Sequence, residues 1–213
     1  MKKKIVALCL VVGLLAVSVI GGTLAYFTDN DEVANTFTVG NIDILLDEAE
    51  TDLYGKIVLN DEETPVERVH ANEYKLIPGH VYSKDPVVTV ETGSEPCYLY
   101  IQIKNDLAAD LVAEGENSIA KQLADHNWKA VEGQTGIYVY AVGEDAATVV
   151  DARAAAKTLT VFENIETKTD ATFADVGAEA GNQIVINAFA HQSDDVEIAT
   201  AQAAAVAHFI PAP

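Results

Sequence analysis

The chain has 213 residues and carries 13 Lys and Arg against 33 Asp and Glu, a formal net charge of −20 at pH 7. A field of that sign repels nucleic acid and anionic lipid, so nucleic acid is not an expected partner, while it keeps an exported protein soluble. Two cysteines, Cys9 and Cys97, provide no disulfide framework, and the fold has to stand on its hydrophobic core.

The first forty residues read as an export signal. Lys2, Lys3 and Lys4 form a positive start, Ile5 to Ile20 is apolar, and Thr23 and Ala25 are small residues two apart. This pattern places a signal-peptidase cut between Ala25 and Tyr26. The same apolar stretch also meets the length requirement of a membrane anchor, roughly 20 residues, and N-terminal sequencing separates the two readings. Cys9 leaves with the signal, so Cys97 has no partner within the mature chain. Residues 26–213 are enough for one domain with a real core.

Most of the mature chain reads as strands. The first of them changes phase: Phe37 and Val39 are apolar at odd positions, whereas Ile42, Ile44 and Leu46 are apolar at even ones, with Gly40 between. A glycine at a phase change predicts a bulge or a break between two strands. The segment before Gly40 then belongs either to its own sheet or to another molecule. Further along, Cys97, Leu99, Ile101 and Ile103 alternate with Tyr98, Tyr100, Gln102 and Lys104, the pattern of a half-buried strand, with Cys97 a buried thiol. Ile137, Val139 and Ala141 alternate with Tyr138 and Tyr140, and Ile184, Ile186, Ala188 and Ala190 do the same. Shorter strands are predicted over Lys56–Leu59, Tyr74–Ile77, Val87–Val90 and Thr158–Phe162. Pro78-Gly79, Asp85-Pro86, Gly93-Ser94, Gly133 and Gly181-Asn182 supply the turns. Helical spacing is confined to Asp106–Asp125, broken near Gly115, to the alanine-rich Asp151–Lys157, and to Ala199–His208, with Asp194 or Asp195 as cap and Pro211 beyond its end.

These residues resemble a known family. The run Gly21-Gly22-Thr23-Leu24-Ala25-Tyr26-Phe27-Thr28-Asp29, followed by Asn35 to Ile44 with its Phe37-Thr38-Val39-Gly40, resembles the signal and mature start of the TasA and camelysin proteins of Gram-positive bacteria. Leu76-Ile77-Pro78-Gly79-His80, Ser83-Lys84-Asp85-Pro86 and Ala188-Phe189-Ala190-His191-Gln192 are weaker matches to the same family, and the stretch from Asp106 to Ala180 carries none. His80 departs from the family's usual polar residue after Pro-Gly. The resemblance implies an all-β, jelly-roll-like antiparallel β-sandwich with short helical insertions. It also implies processing by the signal peptidase SipW and a role as a secreted matrix or surface protein that polymerises into biofilm fibres. The implied partners are copies of itself and other matrix proteins. A casein-cleaving activity is reported for camelysin, so a secreted metalloendopeptidase is the alternative, and a monomeric adhesion module is a third.

The sequence contains no catalytic constellation that would decide for the enzyme. No His-Glu-x-x-His occurs, and His70, His80, His126, His191 and His208 are scattered, so neither a metal nor another cofactor is expected. No Gly-x-Ser-x-Gly elbow is present, and Gly93-Ser94 reads as a turn. Asp29 to Glu32 and Asn60 to Glu63 offer hard oxygens without the spacing of a calcium loop. The polymerisation reading instead has a physical mechanism. The segment Tyr26 to Val39, which carries Phe27, Phe37 and Val39 and is separated by Gly40 from the strand that follows, is freed by the peptidase and can be donated to a neighbour's sheet edge, or can pair at home as a first strand.

Overall fold

The computed structural model describes residues 41–65, 67–172 and 183–211, all within a unit that spans Gly40–Pro213. Its strands are β1 (Ile44–Ala49), β2 (Arg68–Val69), β3 (Val81–Ser83), β4 (Val87–Val90), β5 (Cys97–Asn105), β6 (Trp128–Ala130), β7 (Ile137–Tyr140), β8 (Lys157–Thr160), β9 (Asn164–Glu166) and β10 (Ile184–Gln192). Helix α1 (Ile119–Asp125) lies between β5 and β6, and α2 (Ile198–Phe209) follows β10. Among the described residues, no helix is long and apolar enough to cross a membrane.

Every named strand pair is antiparallel. One sheet has the order β2-β1-β4-β8, the other β10-β5-β7-β6, and β3 and β9 form a separate pair. The even-numbered Ile44 and Leu46 of β1 lie opposite Val90 and Val88, and all four join the core. From the second sheet the core receives Leu99, Ile101 and Ile103 of β5, Tyr138 and Tyr140 of β7, and Ile184, Ile186, Ala188 and Ala190 of β10. The alternation predicts the strands, and the two sheets packed face to face are the all-β sandwich that the resemblance implies.

The half-buried reading of β5 is corrected by α2. Tyr98, Tyr100 and Gln102 point away from the sandwich but are buried, because Ala201, Ala205 and Phe209 of α2 lie over them together with Val131, Ile137, Val139 and Ala141. Seven consecutive residues of β5 are therefore buried on alternating faces. Small alanines let the helix sit close to the sheet. Burial stabilises by roughly 1.5 to 3 kcal/mol for each large apolar side chain, so a two-faced strand contributes more than an edge strand of equal length.

Other departures from the sequence reading have local causes. Lys56–Leu59 makes only isolated bridges, and Tyr74–Ile77 is irregular because Tyr74 and Tyr82 take up its polar and apolar contacts. Gly55 holds a positive φ where an added Cβ would lie 2.7 Å from Tyr82 Cβ, so the turn before Lys56 packs directly on Tyr82. Helix is limited to Ile119–Asp125 within Asp106–Asp125: Asn105 Oδ1 accepts the Leu107 N–H, and Leu111 bridges to Thr167, which stops the first turn from propagating. Asp151–Lys157 is not helical. Asp151 binds both the backbone and the guanidinium of Arg153, and Ala154, Ala155 and Ala156 are exposed, leaving no apolar face to bury. At the C-terminus Asp195 has φ 57 in a turn, so α2 begins at Ile198 with Glu197 as N-cap and without a side-chain cap bond.

Two predictions follow from this packing. Burial pushes the Cys97 thiol up to about 11 and the Tyr100 phenol up to about 12, and raises Tyr82 and Tyr138 in the same direction. These groups stay neutral in the folded protein while the unfolded chain ionises near the ordinary values of 9.0 and 10.0. Stability from them is complete below pH 9 and is lost as pH rises through 9 to 12. Urea unfolding at a series of alkaline pH values reads this loss, and a flat profile to pH 12 contradicts it. In addition, Tyr100 Oη is buried without a hydrogen-bond partner among the described residues. Tyr100→Phe is therefore expected to be neutral or to stabilise by about 1 kcal/mol, since an unsatisfied hydroxyl is removed and the ring stays. A fall in melting temperature of several degrees would show that the hydroxyl has a partner.

Candidate functional site

The residues singled out from the sequence, namely Thr23, Ala25, Tyr26, Phe27, Phe37, Val39 and Gly40, lie outside the described residues, as does the phase change. Asn41 onward shows what the chain leads into. Asp43 accepts the Glu91 N–H and Ile44 lies opposite Val90, so odd-numbered residues of β1 bond to β4 and even-numbered ones turn their backbone groups to the other edge. On that edge β2 pairs only with Glu48 and Ala49. The Leu46 carbonyl is met by His70 Nδ1 at 3.0 Å. Among the described residues, nothing pairs with Ile42 and Ile44 there.

Strand β10 lies beside β1 at the end of the other sheet and, among the described residues, pairs only with β5. The Asp106 N–H donates to Gln183 and the Ser193 N–H to Pro96, so the odd-numbered residues of β10 bond to β5. Ile184, Ile186, Ala188 and Ala190 thus turn their N–H and C=O outward. Their side chains point into the sandwich, yet all four are only partly buried, as are Ile42, Ile44 and Leu46 across from them. The edge runs nine residues in unbroken register with β5, without proline and without a charged residue. Long edges are normally guarded by charge, proline or a bulge.

The opposite side of the sandwich is closed. Trp128 Nε1 of β6 donates to Thr160 O of β8 at 2.8 Å, joining the two sheets. Gln122 of α1 donates to Asn164 O and accepts from the N–H groups of Glu163 and Asn164. Core-facing side chains are sealed where β6 meets β8 and left partly open where β1 meets β10.

A second feature, which the sequence reading passed over, lies at the end of β1. Glu48 and Lys84 are 5% and 9% exposed and form an ion pair, Lys84 Nζ donating to Glu48 Oε2 at 2.7 Å. Asn72 Nδ2 donates to Glu48 Oε1 at 3.0 Å and to Ala49 O at 2.9 Å, while its Oδ1 accepts the Thr51 N–H at 2.9 Å. The Tyr74 ring lies 5.7 Å from Nζ. Burial, and then the Glu48 charge, raise the Tyr74 phenol far above its ordinary value. Next to this cluster, Asp85 Oδ1 accepts the Ala49 N–H at 2.7 Å, and Arg68 bridges Asp47 and Asp85. Burial works against the Arg68 charge, but its bonds to the two carboxylates outweigh this and raise its pKa. Lys84 and Asp85 were visible only as part of a turn. Their partners are 36 residues away, a separation that no periodicity reports.

Among the described residues, no three of His, Cys, Asp and Glu come together in a way that could hold a metal ion. His80 Nε2 meets Tyr54 O at 2.9 Å, His126 stands 3.8 Å from Glu163, and His208 stacks on Phe189 at 4.7 Å. The donor set of a zinc peptidase is therefore not assembled from these residues. Asn60 to Glu63 is a tight turn in which Asn60 Oδ1 accepts the N–H groups of Glu62 and Thr64. Ser94 Oγ accepts the Asp43 N–H and is structural. Cys97 is fully buried in the core.

Comparison with known proteins gives one match. Residues 1–54 match the family model described as camelysin metallo-endopeptidase, about a quarter of the chain. No curated protein and no solved structure matches. The matched segment contains both Gly21–Asp29 and Asn35–Ile44, so the chain is similar to the camelysin family over that stretch.

Proposed function

We propose that the chain is an exported protein of the cell surface or extracellular matrix that polymerises by strand donation. In this reading the signal peptidase cuts after Ala25, and the freed segment Tyr26 to Val39 of one copy adds to the β1/β10 side of the next. The single observation that carries the reading is the uncharged, nine-residue edge of β10, which has no partner strand among the described residues and beside which core residues of β1 and β10 stay partly exposed. An added strand gains main-chain hydrogen bonds along that edge, and its alternate side chains cover the open core. Val33, Phe37 and Val39 share one parity and supply such side chains; Thr36 and Thr38 supply the other face. Donation from copy to copy is a head-to-tail contact, which propagates as a filament unless it closes into a ring. Other matrix proteins with a similar freed strand are further partners.

A second reading, a secreted endopeptidase, is favoured by the description of the matched family model. Incubation of the purified mature protein with casein, with and without chelator, separates the two readings.

Strand donation makes a direct prediction. Protein trimmed to begin at Gly40 should fold and remain monomeric, whereas protein beginning at Tyr26 should form filaments under the electron microscope. A synthetic peptide of Tyr26 to Val39 should bind the trimmed protein. Val185→Lys, which adds a charge to an exposed position of the β10 edge, should slow filament growth by tenfold or more. Filaments of normal appearance from the trimmed protein would refute donation.

A further inference from the structure

We propose that Lys84 and Asn72 become joined by an intramolecular isopeptide bond, formed by the folded protein itself with Glu48 as the catalytic proton carrier. The inference is independent of assembly and rests on the arrangement at the end of β1. One buried carboxylate bridges a primary amine and a carboxamide, with Oε2 on Lys84 Nζ at 2.7 Å and Oε1 on Asn72 Nδ2 at 3.0 Å. The amine is a nucleophile, the carboxamide carbon an electrophile, and both are held by the one group that can move protons between them.

The surroundings favour the forward step. The Thr51 N–H donates to Asn72 Oδ1 at 2.9 Å, which polarises the carbonyl and places a donor where negative charge develops when the amine adds. The Ala49 carbonyl accepts from Nδ2 and fixes the plane of the amide. The Tyr74 ring lies over Nζ, and the site holds the lysine with little access to solvent. Holding the two reactants in one geometry replaces a bimolecular encounter with a unimolecular step.

The atoms balance without an external reagent. Glu48 Oε2 takes a proton from the Lys84 ammonium, leaving a neutral amine. The amine lone pair forms a bond to Asn72 Cγ, and the carbonyl electrons move onto Oδ1, facing the Thr51 N–H. The nitrogen contributed by lysine gives up a proton that reaches Nδ2 by way of Glu48, the Cγ–Nδ2 bond breaks, and ammonia leaves. Nζ and Cγ are then joined by an amide, and Glu48 retains the proton first taken from lysine until solvent removes it. No oxidation or reduction takes place.

Mass spectrometry of the purified exported protein tests the proposal. Its denatured mass should be lighter than that of its sequence by one ammonia. Trypsin should cut after Arg68 and Lys75 but not after Lys84, so that Val69 to Lys75 stays attached to the peptide that carries Lys84. Glu48→Gln preserves the shape of the site but cannot take the proton, and should give the full sequence mass and linear peptides. Asn72→Asp should lose water in place of ammonia. Circular dichroism of each variant confirms that it is folded. Wild-type protein of full sequence mass overturns the proposal whatever the variants do. Loss of ammonia with only linear peptides also overturns it, because that marks a cyclised asparagine. A cross-link that persists in folded Glu48→Gln overturns the role given to Glu48.

Discussion

The covering of β5 on both faces is the constraint from which the rest of the fold follows. An apolar strand exposed to water on one side would leave Tyr98, Tyr100 and Val139 unburied, so the chain has to supply a second layer beyond the sandwich. Helix α2 is that layer, and its alanines allow the close approach that burial requires. With one face of the β10-β5-β7-β6 sheet under the helix and the other against the β2-β1-β4-β8 sheet, only the two lateral openings of the sandwich remain to be sealed. Trp128 and Gln122 seal one of them by direct hydrogen bonds. Among the described residues, nothing seals the other, along β10.

That asymmetry links the processing signal to the proposed assembly. The chain before Asn41 leads into β1, whose neighbour across the opening is the unguarded edge of β10. In the proposed assembly, a strand arriving there from another copy would cover the core residues of β1 and β10 that stay partly exposed. The opposite end of β1 is the most firmly tied part of the sheet, with Glu48 held by Lys84 and Asn72, the Ala49 N–H by Asp85, and Asp47 by Arg68. Tension drawn through a donated strand would enter β1 near Asn41 and run along the strand to this cluster. Buried ion pairs contribute little net stability by themselves, which makes specificity of register, or covalent chemistry, the better account of why one is placed here.

The sequence discloses the parts of the fold governed by short-range periodicity. The alternation in Cys97 to Lys104, Ile137 to Ala141 and Ile184 to Ala190 identifies three strands of one sheet, and the even-numbered residues from Ile42 to Leu46 identify the first strand of the other. It fails where a distant contact decides the outcome. Tyr98 and Tyr100 look solvent-facing because nothing local announces a helix a hundred residues later. Tyr74 to Ile77 alternates like a strand, but Tyr82 captures its backbone groups. Alanines at 154–156 favour a helix by propensity and lack a face to bury. The candidate site divides in the same way. Tyr26 to Gly40 is legible as a freed segment, whereas the edge that would receive it emerges only from sheet order, and the Glu48–Lys84–Asn72 cluster only from three-dimensional contact.

The measurement that bears most directly on the central claim is residue-resolved hydrogen exchange of the β10 amides before and after assembly. In the protein trimmed to Gly40, the N–H groups of Ile184, Ile186, Ala188 and Ala190 face the open edge and should exchange rapidly, while those of Val185, Asn187, Phe189 and His191 are protected by β5. On assembly of protein beginning at Tyr26, the first set should gain protection comparable to the second. Protection of the even-numbered amides that is already complete in the trimmed monomer, or that never appears in the assembled form, would contradict the account.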